Sequence, residues 1–300
     1  MRIATLLHNP VAGDEAHTKD KLIALIESRG YKCHYSSVKE QGLDLIHEDT
    51  EFIIIAGGDG TVRKVAKQLL LDKSPASHLP IALLPMGTAN NIARTLGISG
   101  EPETIIRQWA TMQPRTIDIW DVDNLPGARF FCEGLGFGVF PQLIAEMRHH
   151  DEELSDSPEK RMEVALGTLH DITVSYKPRH CVVIADGTDY SGDYIMVEVM
   201  NMQCIGPNLV LAYEANPGDG YMEIVLIAEG EKDELARYIS DRISGVASFL
   251  KCKTLKARNV KIQWEGHLVH VDDELIEMKE IKEISLSSEG KILHFMVPGT

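Results

Sequence analysis

The fold class of the N-terminal part of the chain is indicated by residues 52–61, Phe-Ile-Ile-Ile-Ala-Gly-Gly-Asp-Gly-Thr. The run Phe52–Ala56 is apolar and of strand length, which is typical of a strand buried on both faces. Segment 62–71 then has apolar residues at helical spacing, namely Val62, Val65, Ala66, Leu69 and Leu70. The stretch therefore predicts a strand, a glycine-rich turn and an amphipathic helix.

The same alternation extends to both sides of this stretch. Arg2–His8 and Ile81–Leu84 are strand-like, and Lys21–Arg29 has helical periodicity with Gly30 as its stop. Alternation of this kind indicates βαβ units. We predict an α/β domain with a mainly parallel sheet over residues 1–120.

After about Asp118 the sequence becomes β-rich, and we predict a second domain of sandwich or barrel type over residues 121–289. A charged helical insertion is expected at 141–174, and Lys291–Val297 is a closing strand. The other predicted strands of this part are Cys181–Ala185, Tyr194–Asn201, Met222–Ala228, Val260–Trp264 and Ile284–Ser287. A chain of 300 residues accommodates two such domains.

Composition narrows the function classes. A formal net charge of −15 disfavours nucleic acid and constitutive attachment to anionic membranes, but leaves transient contact with a lipid surface open. The five cysteines are scattered without CxxC spacing, which disfavours a disulfide framework and a zinc site. Without a bilayer-length apolar run or a signal-peptide pattern, a cytoplasmic location is expected.

The glycine-rich turn has the composition of a phosphate-binding loop. Gly57, Gly58 and Gly60 let the backbone approach an anion at a helix N-terminus, and Thr61 can cap the helix or bind a phosphate oxygen. A carboxylate beside phosphates needs a cation, so Asp59 indicates Mg²⁺. The alternative is a tight turn in which Asp59 is structural.

Two further loops follow predicted strands and would share this sheet edge. The first is Asn9–Gly13, and the second, residues 85–91, contains Gly87, Thr88 and Asn90. Either loop alone is more often an ordinary turn. Three such loops on one edge predict a nucleotide site that includes Asn9, Pro10, Val11, Ala12 and Gly13.

The segments NPVAG (9–13), GGDGT (57–61) and PMGTANNIAR (85–94) resemble, in this order, the signatures of the diacylglycerol kinase catalytic domain family, which includes bacterial lipid kinases. The resemblance continues through Asn201, Gly206, segment 215–220 (ANPGDG) and segment 271–274 (VDDE). It implies an N-terminal α/β nucleotide domain, to which residues 290–300 return, and a C-terminal β-sandwich. The predicted nucleotide-binding residues also include Ser37.

The resemblance also implies an activity. A kinase of this family would use ATP and Mg²⁺ to phosphorylate a hydroxyl of a lipid such as diacylglycerol. The expected partners are this lipid or another hydroxyl acceptor, a membrane surface in transient contact, and a second copy of the chain in a homodimer.

Two acidic segments complete the predicted site. The resemblance implies a Mg²⁺ ion held by the Asp219 side chain and backbone oxygens near Asn216 and Tyr221, although segment 218–220 is also an ordinary turn. It assigns the base that accepts the hydroxyl proton to Asp272 and Glu274. Without the resemblance, these two residues would be interpreted as an exposed acidic turn.

The sequence departs from the family pattern at Arg63, Lys64, Asn91 and Asp273. Two alternatives therefore stay open. NAD kinases and phosphofructokinases share a GGDG-type loop, so the acceptor could be a soluble molecule. A catalytically silent regulator that binds nucleotide or lipid is the other alternative.

Overall fold

The computed structural model describes residues 2–13, 17–39, 46–71, 74–150, 157–280 and 282–299. The chain divides into two compact units. Unit 1 comprises Met1–Ile117 and Lys291–Thr300, and unit 2 comprises Asp118–Gly290.

Unit 1 is built on a six-stranded sheet of order β2-β1-β3-β4-β20-β5. Its strands are β1 (Arg2–His8), β2 (Tyr31–Ser37), β3 (Phe52–Gly57), β4 (Ile81–Pro85), β5 (Gln113–Asp118) and β20 (Ile292–Val297). The pairings β1–β2, β1–β3, β3–β4 and β4–β20 are parallel. The predicted α/β architecture with a mainly parallel sheet is confirmed.

The helices of unit 1 are α1 (Lys19–Ser28), α2 (Asp59–Leu71), α3 (Asn91–Thr95) and α4 (Pro102–Gln108), with a short 3-10 helix at Pro75–His78. Helix α1 is capped at Arg29, and Gly30 follows at φ 85°, as the stop signal predicts. Helix α2 begins three residues earlier than the predicted segment 62–71, because the Gly58 carbonyl accepts the N–H groups of Thr61 and Val62. Thr61 therefore lies within the first turn and does not cap this helix, and its other predicted role, a hydrogen bond to a phosphate oxygen, stays a prediction.

Unit 2 is β-rich, as predicted, and most of its strands form one large sheet of order β18-β17-β8-β11-β9-β16-β19-β6-β7. Strand β14 pairs with β11 and β15, β10 pairs with β9, and β12 and β13 pair separately. The strands are β6 (Trp120–Asp123), β7 (Phe130–Phe131), β8 (Gly134–Gly138), β9 (Arg179–Ala185), β10 (Thr188–Asp189), β11 (Gly192–Met200), β12 (Cys204–Ile205), β13 (Leu209–Val210), β14 (Met222–Ala228), β15 (Lys253–Ala257), β16 (Val260–Trp264), β17 (Leu268–Val271), β18 (Glu274–Glu277) and β19 (Ile284–Ser287).

The unit also contains helices α5 (Val139–His150), α6 (Pro158–Ser175) and α7 (Lys232–Ile243). The predicted insertion 141–174 corresponds to α5 and α6, and its residues 151–156 lie outside the described residues. No helix in the described part of the chain is long and apolar enough to cross a membrane.

Two apolar clusters form the core of unit 2, and β11 contributes to both. Val197 and Val199 belong to the first cluster, with Trp120, Phe137 and Trp264. Met196 and Met200 belong to the second cluster, which includes Phe140 of α5 and residues of α6 and α7. Strand β11 is therefore buried on both faces, because successive side chains point to opposite sides of the sheet.

Candidate functional site

The predicted nucleotide-binding residues of unit 1 lie at the carboxyl ends of four adjacent strands. The loop Asn9–Gly13 follows β1, Ser37 ends β2, Gly57–Thr61 follows the body of β3, and Gly87–Asn90 follows β4. The Asn9 N–H donates to the Ala56 carbonyl at 2.9 Å, and the Gly13 N–H donates to the Met86 carbonyl at 3.1 Å. The structure therefore brings these loops together at one sheet edge.

Gly58 and Gly87 allow the loop after β3 and the loop after β4 to touch through their backbones. A Cβ atom on Gly87 would lie 2.5 Å from Gly58 Cα, and a Cβ atom on Gly58 would lie 2.9 Å from Gly87 Cα. Both distances are far below an ordinary contact, so a side chain at either position would push the loops apart. Loop packing therefore requires glycine at both positions, and so would close approach of the backbone to a phosphate.

The Asp59 carboxylate joins the same two loops through hydrogen bonds. Its Oδ2 accepts the Asn91 N–H at 2.9 Å and its Oδ1 accepts the Ile92 N–H at 3.1 Å, at the first turn of α3. The charge of Asp59 thus has backbone partners in the protein. Asp59 therefore does not by itself indicate Mg²⁺, because two backbone N–H groups already offset the charge of its carboxylate.

Other predicted residues of this edge are also held by the protein. Asn90, at φ 51°, exchanges two hydrogen bonds with the backbone of Gly87. The Thr61 hydroxyl is buried beside Gly57 and lies 3.4 Å from the Asn9 amide nitrogen. Pro10, Val11, Gly13 and Thr88 are exposed, Val11 to 71%.

Lys64 and Ser37 are placed by local hydrogen bonds. The Lys64 ammonium donates to the carbonyl of Val38, so this departure from the family pattern ties α2 to the residue after β2. The Ser37 hydroxyl accepts the N–H of Lys39 at 3.3 Å.

In unit 2, the predicted metal ligands surround one turn before β14. Asn216 O accepts the Asp219 N–H at 3.1 Å, and Asp219 Oδ1 accepts the Tyr221 N–H at 3.0 Å. Close by, Asp118 Oδ2 accepts the Gly220 N–H at 2.8 Å. Burial raises the pKa of Asp118 despite this bond.

A lysine supplies the cation at this turn. Lys256 Nζ lies 3.2 Å from Asp219 Oδ2 and 3.2 Å from Glu223 Oε1. Burial raises the pKa of Glu223, and the lysine counteracts that effect. Both Asp219 oxygens are thus engaged, and the described residues contain no group of three or more His, Cys, Asp or Glu that could hold a metal. A magnesium ion held by Asp219 at this turn would have to displace the Lys256 ammonium.

The two predicted base residues differ in their surroundings. Asp272 is 7% exposed, at φ 54°, and its Oδ1 accepts the N–H groups of Cys132, Glu133 and Gly134 at 2.7–3.2 Å. Glu274 begins β18 and is exposed. The geometry makes Asp272 an anchor of the β17–β18 turn, whereas Asp273 and Glu274 are exposed.

A buried pair lies beneath this turn. His270 Nε2 is 2.6 Å from Glu198 Oε1, and His270 Nδ1 is 2.9 Å from the Asp272 carbonyl oxygen. Burial raises the pKa of Glu198. Burial alone would lower the pKa of His270, but the adjacent Glu198 raises it.

Sequence reasoning missed Glu198 and Lys256. The signal for Glu198 was a charged residue inside an otherwise apolar strand opposite three alternating glycines at 134, 136 and 138. Lys256 had no local signal, because it is one of several lysines on an exposed strand. The spacing of His267 and His270 disfavours a metal pair, because residues three apart on a strand face opposite sides.

Residues 3–122 match the diacylglycerol kinase catalytic domain. Residues 146–282 match the YegS C-terminal NAD kinase beta sandwich-like domain. The chain therefore combines a diacylglycerol kinase catalytic domain with a YegS-type C-terminal domain, and this combination supports its assignment as a kinase.

Individual relatives agree with this assignment. The chain is 29% identical over 220 residues to a "Probable lipid kinase YegS-like" of Stenotrophomonas maltophilia (strain K279a), covering 72% of this chain and 68% of that protein. It is 24% identical over 320 residues to a "Diacylglycerol kinase" of Bacillus subtilis (strain 168), covering 100% and 92%.

Two solved structures share the fold. A diacylglycerol kinase from Bacillus anthracis str. Sterne aligns with a TM-score of 0.71 at 19% identity, over 99% of this chain and 96% of that one. An NAD kinase from Archaeoglobus fulgidus, solved in complex with ATP, aligns with a TM-score of 0.52 at 12% identity, over 99% and 94%.

Proposed function

We propose that this kinase transfers the γ-phosphate of ATP, taken up with Mg²⁺, to a hydroxyl group of a lipid such as diacylglycerol. The observation that carries the proposal is the contact between Gly58 and Gly87, which places two glycine-rich loops side by side at the N-terminus of α2. Such an edge offers backbone N–H groups and a favourable helix dipole to a polyphosphate. The likeness to an NAD kinase solved with ATP supports this choice of nucleotide.

The lipid acceptor is supported by the relatives named as lipid kinases and diacylglycerol kinase. The enzyme would then act in the cytoplasm, in transient contact with a membrane surface, as a monomer or a homodimer, and without a nucleic-acid partner. The formal net charge of −15 fits a contact that is not maintained by attraction to anionic lipids.

The proposed transfer needs a proton acceptor as well as a nucleotide site. The hydroxyl oxygen forms a bond to the γ-phosphorus, the bond from that phosphorus to the bridging oxygen of ADP breaks, and the hydroxyl proton passes to a carboxylate. Glu274 is the residue proposed to accept this proton, because it is exposed while Asp272 is held by the backbone. Mg²⁺ bound with ATP offsets the charge of the phosphates.

The test is transfer of labelled γ-phosphate from ATP to diacylglycerol, sphingosine, phosphatidylglycerol and NAD. Asp59→Ala is the disabled variant, and Asp20→Asn, an exposed change on α1, is its control. Label on a lipid that is lost only in Asp59→Ala supports the proposal. Absence of label on every acceptor, with ATP still bound, contradicts it and favours a silent regulator.

The second candidate is phosphoryl transfer to a soluble acceptor, as in an NAD kinase. It is favoured by the match of residues 146–282 to a domain described as NAD kinase beta sandwich-like, and by the fold likeness to an NAD kinase. Label on NAD and on no lipid would establish this alternative.

A further inference from the structure

A buried acidic and basic pair lies beside the second core cluster of unit 2. Glu198 of β11 is 0% exposed, and His270 of β17 is 1% exposed. Glu198 lies on the same face of β11 as Met196 and Met200, and the His270 ring packs edge-on against Phe140 at 6.1 Å. The pair is therefore enclosed by apolar side chains.

Hydrogen bonds connect this pair to the backbone of the acidic turn. Because a carbonyl oxygen only accepts, His270 Nδ1 is the donor to the Asp272 carbonyl at 2.9 Å. The opposite nitrogen of the ring, Nε2, is hydrogen-bonded to Glu198 Oε1 at 2.6 Å. A continuous chain of bonds thus runs from Glu198 through His270 to the peptide that precedes Asp273 and Glu274.

The neighbouring strand leaves room for the carboxyl group. A Cβ atom on Gly136 of β8 would lie 1.9 Å from Glu198 Oε2. Any residue other than glycine at position 136 would therefore displace Glu198. Strand β8 lies between β11 and β17 and pairs with both, and Gly136 is opposite both Glu198 and His270.

Stability alone does not account for this arrangement. Enclosing two ionisable groups carries a desolvation cost, and replacement of such a pair by apolar residues of similar volume is often neutral or stabilising. The Glu198–His270 pair is hydrogen-bonded to the β17–β18 turn, so positioning of that turn explains the pair better than stability does.

We propose that Glu198 and His270 are positioning residues, which hold the Asp272 carbonyl so that the following Glu274 carboxylate is presented to the acceptor hydroxyl. This inference rests on the proposed function, in which Glu274 accepts the proton. The Asp272 carboxylate anchors the turn to Cys132, Glu133 and Gly134, and the His270 bond sets the orientation of its carbonyl. A displacement of about 1 Å at a reacting group can reduce the rate by about a hundredfold.

The first test replaces the pair by apolar residues, in the double variant Glu198→Leu/His270→Phe. We expect kcat to fall at least about tenfold, with the KM for ATP and the urea midpoint of unfolding unchanged. Hydrogen exchange of the segment 268–277 should become faster in the variant. The control is Asp193→Asn/His180→Gln, which alters an exposed pair in the same sheet and should change neither kcat nor exchange.

A conservative variant separates positioning from packing. In Glu198→Gln the side-chain amide can donate to Nε2 of a neutral His270, which keeps the Nδ1 proton on the Asp272 carbonyl. We expect this variant to recover most of the kcat that Glu198→Leu loses. Recovery of this kind would not follow from a purely apolar role, because leucine fills the core at least as well as glutamine.

The outcomes are distinct. Slower turnover with faster exchange at segment 268–277, reversed by glutamine, supports the inference. Unchanged kcat in the apolar double variant overturns it, and so does a fall in kcat without any change in exchange. If the wild-type chain phosphorylates no acceptor, the proposed function fails, and the exchange measurement alone decides whether the pair orders the turn.

Discussion

The carboxylate of Asp59 accepts the backbone N–H of Asn91 at 2.9 Å, so that the GGDGT segment caps helix α3, which follows the loop after β4. A carboxylate at a helix N-terminus is favoured both by the hydrogen bond and by the helix dipole. This relationship connects the stability of unit 1 with the arrangement of its nucleotide loops.

Replacing Asp59 should therefore affect both folding and activity. We expect Asp59→Ala to lower the free energy of unfolding by about 1–2 kcal/mol, as the loss of a helix cap does. Asp59→Asn, which keeps one acceptor oxygen, should lose less. Urea denaturation of both variants measures the difference, and equal stability of wild type and Asp59→Ala would show that the cap contributes nothing.

The contact between Gly58 and Gly87 predicts a steric effect on nucleotide use. In Gly87→Ala the new Cβ would lie 2.5 Å from Gly58 Cα, which forces the two loops apart. We expect kcat/KM for ATP to fall at least about tenfold, equivalent to about 1.4 kcal/mol of transition-state stabilisation. Steady-state kinetics at varied ATP tests this.

A matched glycine controls for the added methyl group. Gly167 lies in helix α6, and a Cβ added there meets nothing within 4 Å. Gly167→Ala should leave kcat/KM unchanged and raise the free energy of unfolding by about 0.5–1 kcal/mol, because alanine favours the helix. Equal kinetic losses in the two variants would contradict the role given to the loop contact.

Lys256 should stabilise the turn of unit 2 through its two carboxylate partners. In Lys256→Met the Glu223 side chain, buried to 98%, would lose its cation. We expect a loss of about 1–3 kcal/mol in the free energy of unfolding. The double variant Lys256→Met/Glu223→Gln should recover part of that loss, and a double variant no more stable than the single would contradict the pairing.

The same lysine predicts that removal of metal ions has no effect on folding. An ion bound at a hundred times its Kd would stabilise the protein by about 2.7 kcal/mol. Because Lys256 already supplies the positive charge at Asp219, we expect thermal unfolding to be the same in EDTA and in excess Mg²⁺. A clear upward shift with Mg²⁺ and no nucleotide would show that the ion binds this chain.

The cysteines predict a pH dependence of thiol labelling. Burial raises the pKa of Cys181 to about 12, and burial with the nearby Glu27 raises that of Cys33 to about 11. Only the thiolate is nucleophilic, so alkylation by iodoacetamide at pH 7.5 should be very slow and should accelerate about tenfold per pH unit below the pKa. Unfolding in urea should expose all five thiols to the reagent, whereas rapid labelling of Cys181 in the folded protein would contradict this account.

Four strands of unit 1 (β1, β3, β4 and β20) and helices α1 and α2 were predictable because their signals are local, whereas β2, β5 and α4 were not predicted. Apolar runs such as Phe52–Ala56 became the central strand, and Gly30 ended α1. The start of α2 was placed too late, since the glycines that suggested a loop are compatible with a first helical turn when the Gly58 carbonyl accepts two N–H groups. Local propensity cannot decide such a boundary.

The sequence by itself determined the alternation of strands and helices in unit 1, the β-rich character of unit 2, the three loops and the resemblance to the family, because periodicity and short motifs are properties of consecutive residues. Only the tertiary structure decided that Asp59 is bound by α3, that Lys256 is the partner of Asp219, and that Glu198 reaches the acidic turn through His270. These partners are separated by 32 to 72 residues along the chain. Such contacts depend on which strands become neighbours in a sheet, and no local pattern specifies that choice.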